Sequence, residues 1–235
     1  MIGSDEIYAL TAHGVRPHAS PAYYYPEGTV VFGGLSKHLS LGGWRLGVAI
    51  LPPDERGKRL LQGMKVIAGE IWSSPAAPIQ HAAISAYNGD PEIMEYIATC
   101  ARLHAIRTNH LWSWLHEYGV PCPEPQGAFY LFPNFDPWKE ALAKKGVHTS
   151  DDLARYLLDE VQIATLPGTA FGVPGEELSL RLATSYVDME TEEKAAHLLA
   201  AWQRNPDPAY LIETQHPMLQ QTIERIGAFL GGLHG

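Results

Sequence analysis

The sequence predicts an α/β fold in two parts, a strand-and-helix part in front and a smaller α+β part behind it. Three observations predict it. Short apolar runs separated by loops rich in Gly, Pro and His fill residues 1–51, the pattern of strands with long connections. A helical stripe over residues 90–118 is long enough to join two domains. Behind it, strand-like and helix-like segments alternate up to about residue 204.

Taken in order, IYAL, TVVF and RLGVAIL are the first predicted strands. Pro52 and Pro53 can open a helix, with Asp54 and Glu55 early and Lys58 and Arg59 later, matched to the helix dipole. Pro75 and Pro78 punctuate the chain before residues 80–87. Asp90-Pro91-Glu92 starts the long helix; Ile93, Ile97, Cys100, Leu103 and Ile106 line one face, and Gly119 stops it. GAFYLF then reads as a strand, and residues 150–160 as a helix opened by Ser150 or Asp151. IATLPG and LSLRLAT read as two more strands, and residues 188–203 as a helix. NPDP at 205–208 breaks the chain. Beyond it, Leu219, Ile223, Ile226 and Leu230 form a stripe expected to dock on the body. The resulting division is 1–90, a long helix at 91–118, an α+β domain at 119–204 and a helical tail at 205–235.

Composition narrows the function classes. Seventeen basic residues against 26 acidic ones argue against a nucleic-acid footprint. Cys100 and Cys122, with no CxxC, make a disulfide framework improbable and point to a reducing compartment, hence a cytoplasmic setting. MIGSDEIYAL lacks the basic and apolar regions of a secretory signal, and no apolar run approaches a membrane span.

The chemistry centres on GGLSKHLSLGGWRLGVAI, residues 33–50. Lys37 is not in a P-loop, which needs GxxxxGK[ST] before a helix. Ser36 is adjacent to it, not three residues before it, so the SxxK arrangement fails as well. No HExxH or GxSxG is present. The histidines at 13, 18, 38, 81, 104 and 110 have loop or helix-surface roles on spacing alone, so no metal site is expected. What remains is a lysine on a loop leaving a strand, with Ser36, Ser40 and Arg45 nearby. An arginine fork and hydroxyls hold phosphate, while an amine condenses with an aldehyde. Pyridoxal 5'-phosphate asks for that set, plus a carboxylate at its pyridinium nitrogen.

SKHLSLGGWRLG resembles the Schiff-base lysine segment of fold-type I, class I/II aminotransferases, with its SKxxxxxGxRxG pattern. SDEIY is similar to that family's aspartate–tyrosine strand, in register at Asp5 and Tyr8. PQGAFYLFP, TLPGTAFG and LSLRLATSY resemble its C-terminal domain in the expected order, so the likeness spans residues 1 to about 204. It implies the C-terminal portion of the family's large domain plus the α+β small domain. It also implies amino-group exchange between an amino acid and a 2-oxo acid, with pyridoxal 5'-phosphate as cofactor and a homodimer as the complete assembly. Lys37 is then the catalytic Schiff-base lysine, and Asp5 pairs with the pyridine nitrogen. Tyr8 bonds the ring oxygen, Ser36 and Arg45 hold the phosphate, and Arg181 clamps the substrate α-carboxylate. Singly, these residues have plainer readings: Asp5 caps a turn, Tyr8 packs on a strand, Ser36 stabilises its loop, and Arg181 faces solvent.

Relatives place a long N-terminal part before the aspartate strand, whereas Asp5 here is the fifth residue. A phosphate-cradling glycine turn, a ring-stacking aromatic and an asparagine are thus expected outside these residues. Three readings follow: a truncated aminotransferase, a non-catalytic remnant or interaction module, or a chain that needs a second polypeptide. A related pyridoxal-phosphate lyase is the alternative chemistry.

Overall fold

A computed structural model of the chain describes residues 1–14 and 18–233. It divides into two compact units, Met1–Arg102 and Leu103–Gly235.

The first unit holds a three-stranded sheet of β1 (Ile2–Asp5), β2 (Thr29–Gly34) and β3 (Gly47–Ile50), in that order. β1 runs parallel to β2, with Asp5 opposite Phe32; β3 is antiparallel, with Gly34 opposite Gly47. The strand expected over IYAL is corrected: the strand ends at Asp5, and Ala9–Thr11 is a 3-10 turn. Asp5 Oδ1 accepts from the Ile7 amide at 3.2 Å, turning the chain just where the apolar run begins. Ala9 N then bonds Glu6 O, and Thr11 N bonds Tyr8 O. The third strand is also shorter than RLGVAIL, because Arg45 adopts φ 53° and closes a 3-10 turn at Gly42–Trp44. A left-handed residue cannot continue a strand.

A short helix, α1 (Pro21–Tyr24), is capped by Ser20, whose hydroxyl accepts from Ala22 N and donates to Glu6 Oε1 at 2.6 Å. α2 (Glu55–Ile71) starts at Asp54, so Pro52 and Pro53 precede the cap and do not open the helix. Asp54 Oδ1 accepts from Arg56 N at 3.0 Å and Gly57 N at 3.1 Å. Gly57 is demanded by packing, since a Cβ there would sit 1.8 Å from the Pro52 carbonyl oxygen. α3 (Ala77–Tyr87) carries Pro78 in its first turn. Among the described residues, this unit's buried aliphatic side chains are Val30, Leu35, Ala83 and Ile97.

α4 (Pro91–Glu117) matches the periodicity expected of it. Asp90 Oδ1 accepts from Glu92 N at 2.8 Å at its start, and Gly119 at φ 89° ends it.

The second unit holds β4 (Tyr130–Leu131), α5 (Lys139–Ala143), α6 (Ser150–Tyr156), β5 (Leu166–Pro167) and β6 (Leu180–Ala183). Its sheet is antiparallel in the order β4-β6-β5. α6 opens at Thr149 and not at Ser150 or Asp151. Thr149 Oγ1 accepts from Asp152 N, and Asp152 Oδ2 accepts from Thr149 N, a capping box that puts Ser150 in the core. A π turn, Leu157–Val161, continues it. α7 (Glu192–Arg204), α8 (Pro208–Gln215) and α9 (Pro217–Gly231) complete the unit. The helix expected from residue 188 begins four residues later, capped by Thr191.

Asp188 has a different task. At φ 61°, it reaches across to α9 and accepts from Met218 N at 2.9 Å and Leu219 N at 3.1 Å. Leu219, Ile226 and Leu230 are buried, so the α9 stripe docks inside its own unit, as the spacing predicts. They join Leu115, Leu142 and Leu180 in one core, each side chain worth about 2 kcal/mol of burial.

Candidate active site

Loop 35–41 carries the lysine. Leu35 is fully buried and anchors it, and Leu41 N bonds back to Leu35 O at 3.2 Å. Within that closed loop, Lys37 O accepts from Ser40 N at 3.2 Å, and Ser40 takes φ 56°. Gly34 makes the approach possible: a Cβ there would meet the Leu46 carbonyl oxygen at 2.8 Å and Ile7 Cδ1 at 3.3 Å. The loop leaves the C-terminal end of β2, beside the C-terminal end of the parallel strand β1. Ligands of open α/β sheets bind outside such strand ends.

Lys37 is half-buried, and its Nζ lies 5.4 Å from the centroid of the Tyr8 ring, within cation–π reach. Asp5, at the end of β1, is exposed, with one oxygen on the Ile7 amide. Its turn-capping reading is therefore realised, while the carboxyl stays open to solvent. Ser36 precedes Lys37 on the same loop. The exposed Arg45 folds back so that Nη1 donates to Gly42 O at 2.7 Å. His38 is half-buried, and burial pushes its imidazole below the ordinary value, so it stays neutral beside Lys37 near neutral pH.

Arg181 belongs to the second unit, on β6 opposite Leu166. Its guanidinium lies between two rings, 4.5 Å from the Tyr130 centroid and 4.7 Å from that of Phe171. Its Nε is buried with no hydrogen-bond partner. Arg181 is thus half-buried, with Nε withdrawn from solvent and both rings close to the guanidinium.

The first-unit residues fit a phosphorylated aldehyde cofactor by the chemistry of their donors. An amine is held on a closed loop, with a hydroxyl beside it in sequence, an arginine closing the next turn, a carboxylate at the neighbouring strand end and a phenol just past it. Among the described residues, no group of three or more His, Cys, Asp or Glu is placed to hold a metal ion. No helix among them is long and apolar enough to cross a membrane.

Sequence reasoning missed a buried polar cluster on α4. His104 is buried, not on the helix surface, with its ring 4.9 Å from that of Phe129. Its Nδ1 lies 2.8 Å from Nη2 of the fully buried Arg107, whose Nη1 donates to Val187 O at 3.1 Å. Thr108 and Thr184 share a hydroxyl contact of 2.7 Å. The signal that could have found them is the run of polar residues at 107–110, just past the apolar stripe of the same helix.

The first unit thus places a lysine-bearing loop at the ends of two parallel strands of an α/β unit, with Tyr8 beside the lysine. The model of the aminotransferase class I and II family matches residues 1–199, and the chain belongs to that family. It is 37% identical over 201 residues to an aspartate aminotransferase of Geobacillus stearothermophilus, covering 84% of this chain and 48% of that protein. It is 38% identical over 189 residues to an aspartate aminotransferase of Bacillus subtilis, covering 79% and 45%. Among solved structures, a Thermus thermophilus aspartate aminotransferase double mutant superposes with a TM-score of 0.66 at 27% identity, covering 86% of this chain and 47% of that one. The chain spans about half the length of the curated relatives it matches.

Proposed function

We propose that this chain provides the lysine-bearing part of a pyridoxal 5'-phosphate-dependent aminotransferase that exchanges an amino group between an amino acid and a 2-oxo acid. One observation carries the reading: Lys37 projects from a closed loop at the ends of two parallel strands, its Nζ over the Tyr8 ring. When bound, the cofactor supplies an aldehyde and an electron-accepting ring. Lys37 Nζ would hold the cofactor through its aldehyde and, once the substrate amine takes its place there, would be free to move the proton at the substrate α-carbon. Asp5 holds a proton on the pyridine nitrogen, and the Tyr8 hydroxyl bonds the ring oxygen. Ser36 and Arg45 bind the phosphate. Arg181, beside the rings of Tyr130 and Phe171, takes the substrate α-carboxylate as a bidentate pair.

A homodimer and a cytoplasmic setting accompany this reading; neither Cys100 nor Cys122 is in a disulfide. The test is reductive fixation. Pyridoxal 5'-phosphate is added, borohydride locks any lysine adduct, and peptide mass spectrometry locates it. Label on Lys37, absent from Lys37→Ala, is the expected result. No label at saturating cofactor, or label spread evenly over the surface lysines, overturns the proposal. A panel of amino acids then reads substrate choice from conversion of the cofactor to its amine form.

A further inference from the structure

The second unit carries a cleft of about 490 Å³ that the aminotransferase reading does not use, since neither Lys37 nor Arg181 lines it. One side is the π turn Leu157–Val161, a distortion that recurs at functional sites. The turn ends at Gln162, which takes φ 60° while its amide donates to Leu157 O. The other side is α9, from which Arg225 Nη1 donates to Gln162 O at 3.4 Å. The rings of Tyr156 and Phe229, 5.8 Å apart and tilted by 43°, line the cleft together with Val161. Lys145 and Glu160, both exposed, line it as well. Among the described residues, neither Lys145 nor Arg225 forms an ion pair, although Glu160 shares the cleft with them. Two cations are thus left without a protein counter-charge beside aromatic walls. The family model ends at residue 199, so the α9 side lies outside the residues it matches.

We propose that this cleft is a second small-molecule site, which takes a monocarboxylate with an aromatic body. Its size selects an organic molecule over a bare ion, because clefts of about 300–1,000 Å³ enclose ligands of that kind and an inorganic anion would leave most of the space to water. Its walls select a ring, which packs against Tyr156, Val161 and Phe229. Its charges select a single negative one: the two cations less Glu160 leave an excess of one positive charge. The Arg225 fork receives the carboxylate and Lys145 adds a second donor. Such a ligand joins the π turn to α9, which the protein itself ties there by the one long bond from Arg225 to Gln162. The site uses no group of the cofactor chemistry, so its test is independent of the Lys37 adduct.

The probe is 3-phenylpropanoate, which has neither an amino nor an oxo group to exchange. It is titrated into the full chain without pyridoxal phosphate, and backbone amide shifts are followed by NMR. The readout is residue by residue, so binding at Arg181 is seen separately, at the amides of Leu166 and Arg181. The expected result is a saturable shift at Val161, Gln162, Phe229 and Gly232, with a dissociation constant of about 1 mM or below. Inorganic phosphate, with charge and no ring, and 3-phenylpropan-1-ol, with ring and no charge, should each bind about tenfold or more weakly there. Arg225→Gln should weaken the acid about tenfold or more, and Lys145→Gln about threefold. Lys145 is exposed, so its variant keeps the test standing if Arg225→Gln does not fold. Four outcomes overturn the proposal: no shift at the cleft amides at about ten times that concentration; shifts confined to the surroundings of Arg181; phosphate or the alcohol binding as tightly as the acid; or folded variants that keep the parental constant.

Discussion

Asp188→Ala tests how the second unit is held together. The carboxylate accepts from Met218 N, which is part-buried, and Leu219 N, which is buried. Deleting it strands both donors at the start of a 15-residue helix. A hydrogen bond to a charged acceptor contributes about 1.5–3 kcal/mol, and the lower figure is taken for each of the two. Together they give about 3 kcal/mol, and alanine at φ 61° adds about 1 kcal/mol of backbone strain. The expected loss is thus about 4 kcal/mol. Asp188→Asn keeps an acceptor oxygen and tolerates the left-handed backbone, so it should lose about 1.5 kcal/mol. Urea titration followed by the fluorescence of Trp138 and Trp202, both buried in this unit, measures each.

pH separates the charge from the shape. Burial raises the Asp188 carboxyl, but the His216 ring, 3.5 Å away, and the two backbone donors outweigh it and hold the carboxyl below its ordinary value. A depressed carboxyl contributes stability that is present above the unfolded value, about 3.9, and is lost as pH falls through the folded value. The native chain should therefore lose stability relative to Asp188→Asn on acidification below about pH 4. An alanine variant within about 0.5 kcal/mol of the native chain would refute the cap, as would an asparagine variant as unstable as alanine.

Other outcomes follow from the same geometry. Thr149→Ala removes the capping box of α6 and should cost about 1 kcal/mol by urea titration, whereas Thr149→Ser should be near neutral. Gly57→Ala drives a methyl into the Pro52 carbonyl and should cost more than about 2 kcal/mol, read as loss of helical circular dichroism and fast exchange over α2. In an assembly competent to bind a 2-oxo acid, Arg181→Lys gives up both the planar fork and the aromatic stacking. It should raise the dissociation constant by about tenfold or more by calorimetry, with Arg181→Met worse.

Periodic elements were legible in the sequence, and contacts made at a distance were not. α4 and α9 carry their spacing openly, since one buried face dictates one period, and β2 shows as a short apolar run. β1 was misplaced because Ile7 and Leu10 look strand-like, while the side chain of Asp5 had already turned the backbone. Asp188 caps a helix 30 residues further along, a relation no local window contains. Lys37 and Arg45 stood out through a motif, but the left-handed turn at Arg45 and its bond to Gly42 did not. The rings flanking Arg181 come from separate segments, Tyr130 on β4 and Phe171 after β5, so only the fold brings them together.

The uneven share of buried side chains sets how the chain meets proteases. α2 offers Arg56, Lys58, Arg59 and Lys65 on a helix with Gly57 as its one fully buried residue. The second unit encloses its leucines in one continuous core. Brief trypsin treatment should cut α2 first and leave a resistant fragment from the second unit. In a cell the same asymmetry makes α2 the point of attack, so the lifetime of the polypeptide is governed by whatever shields that helix.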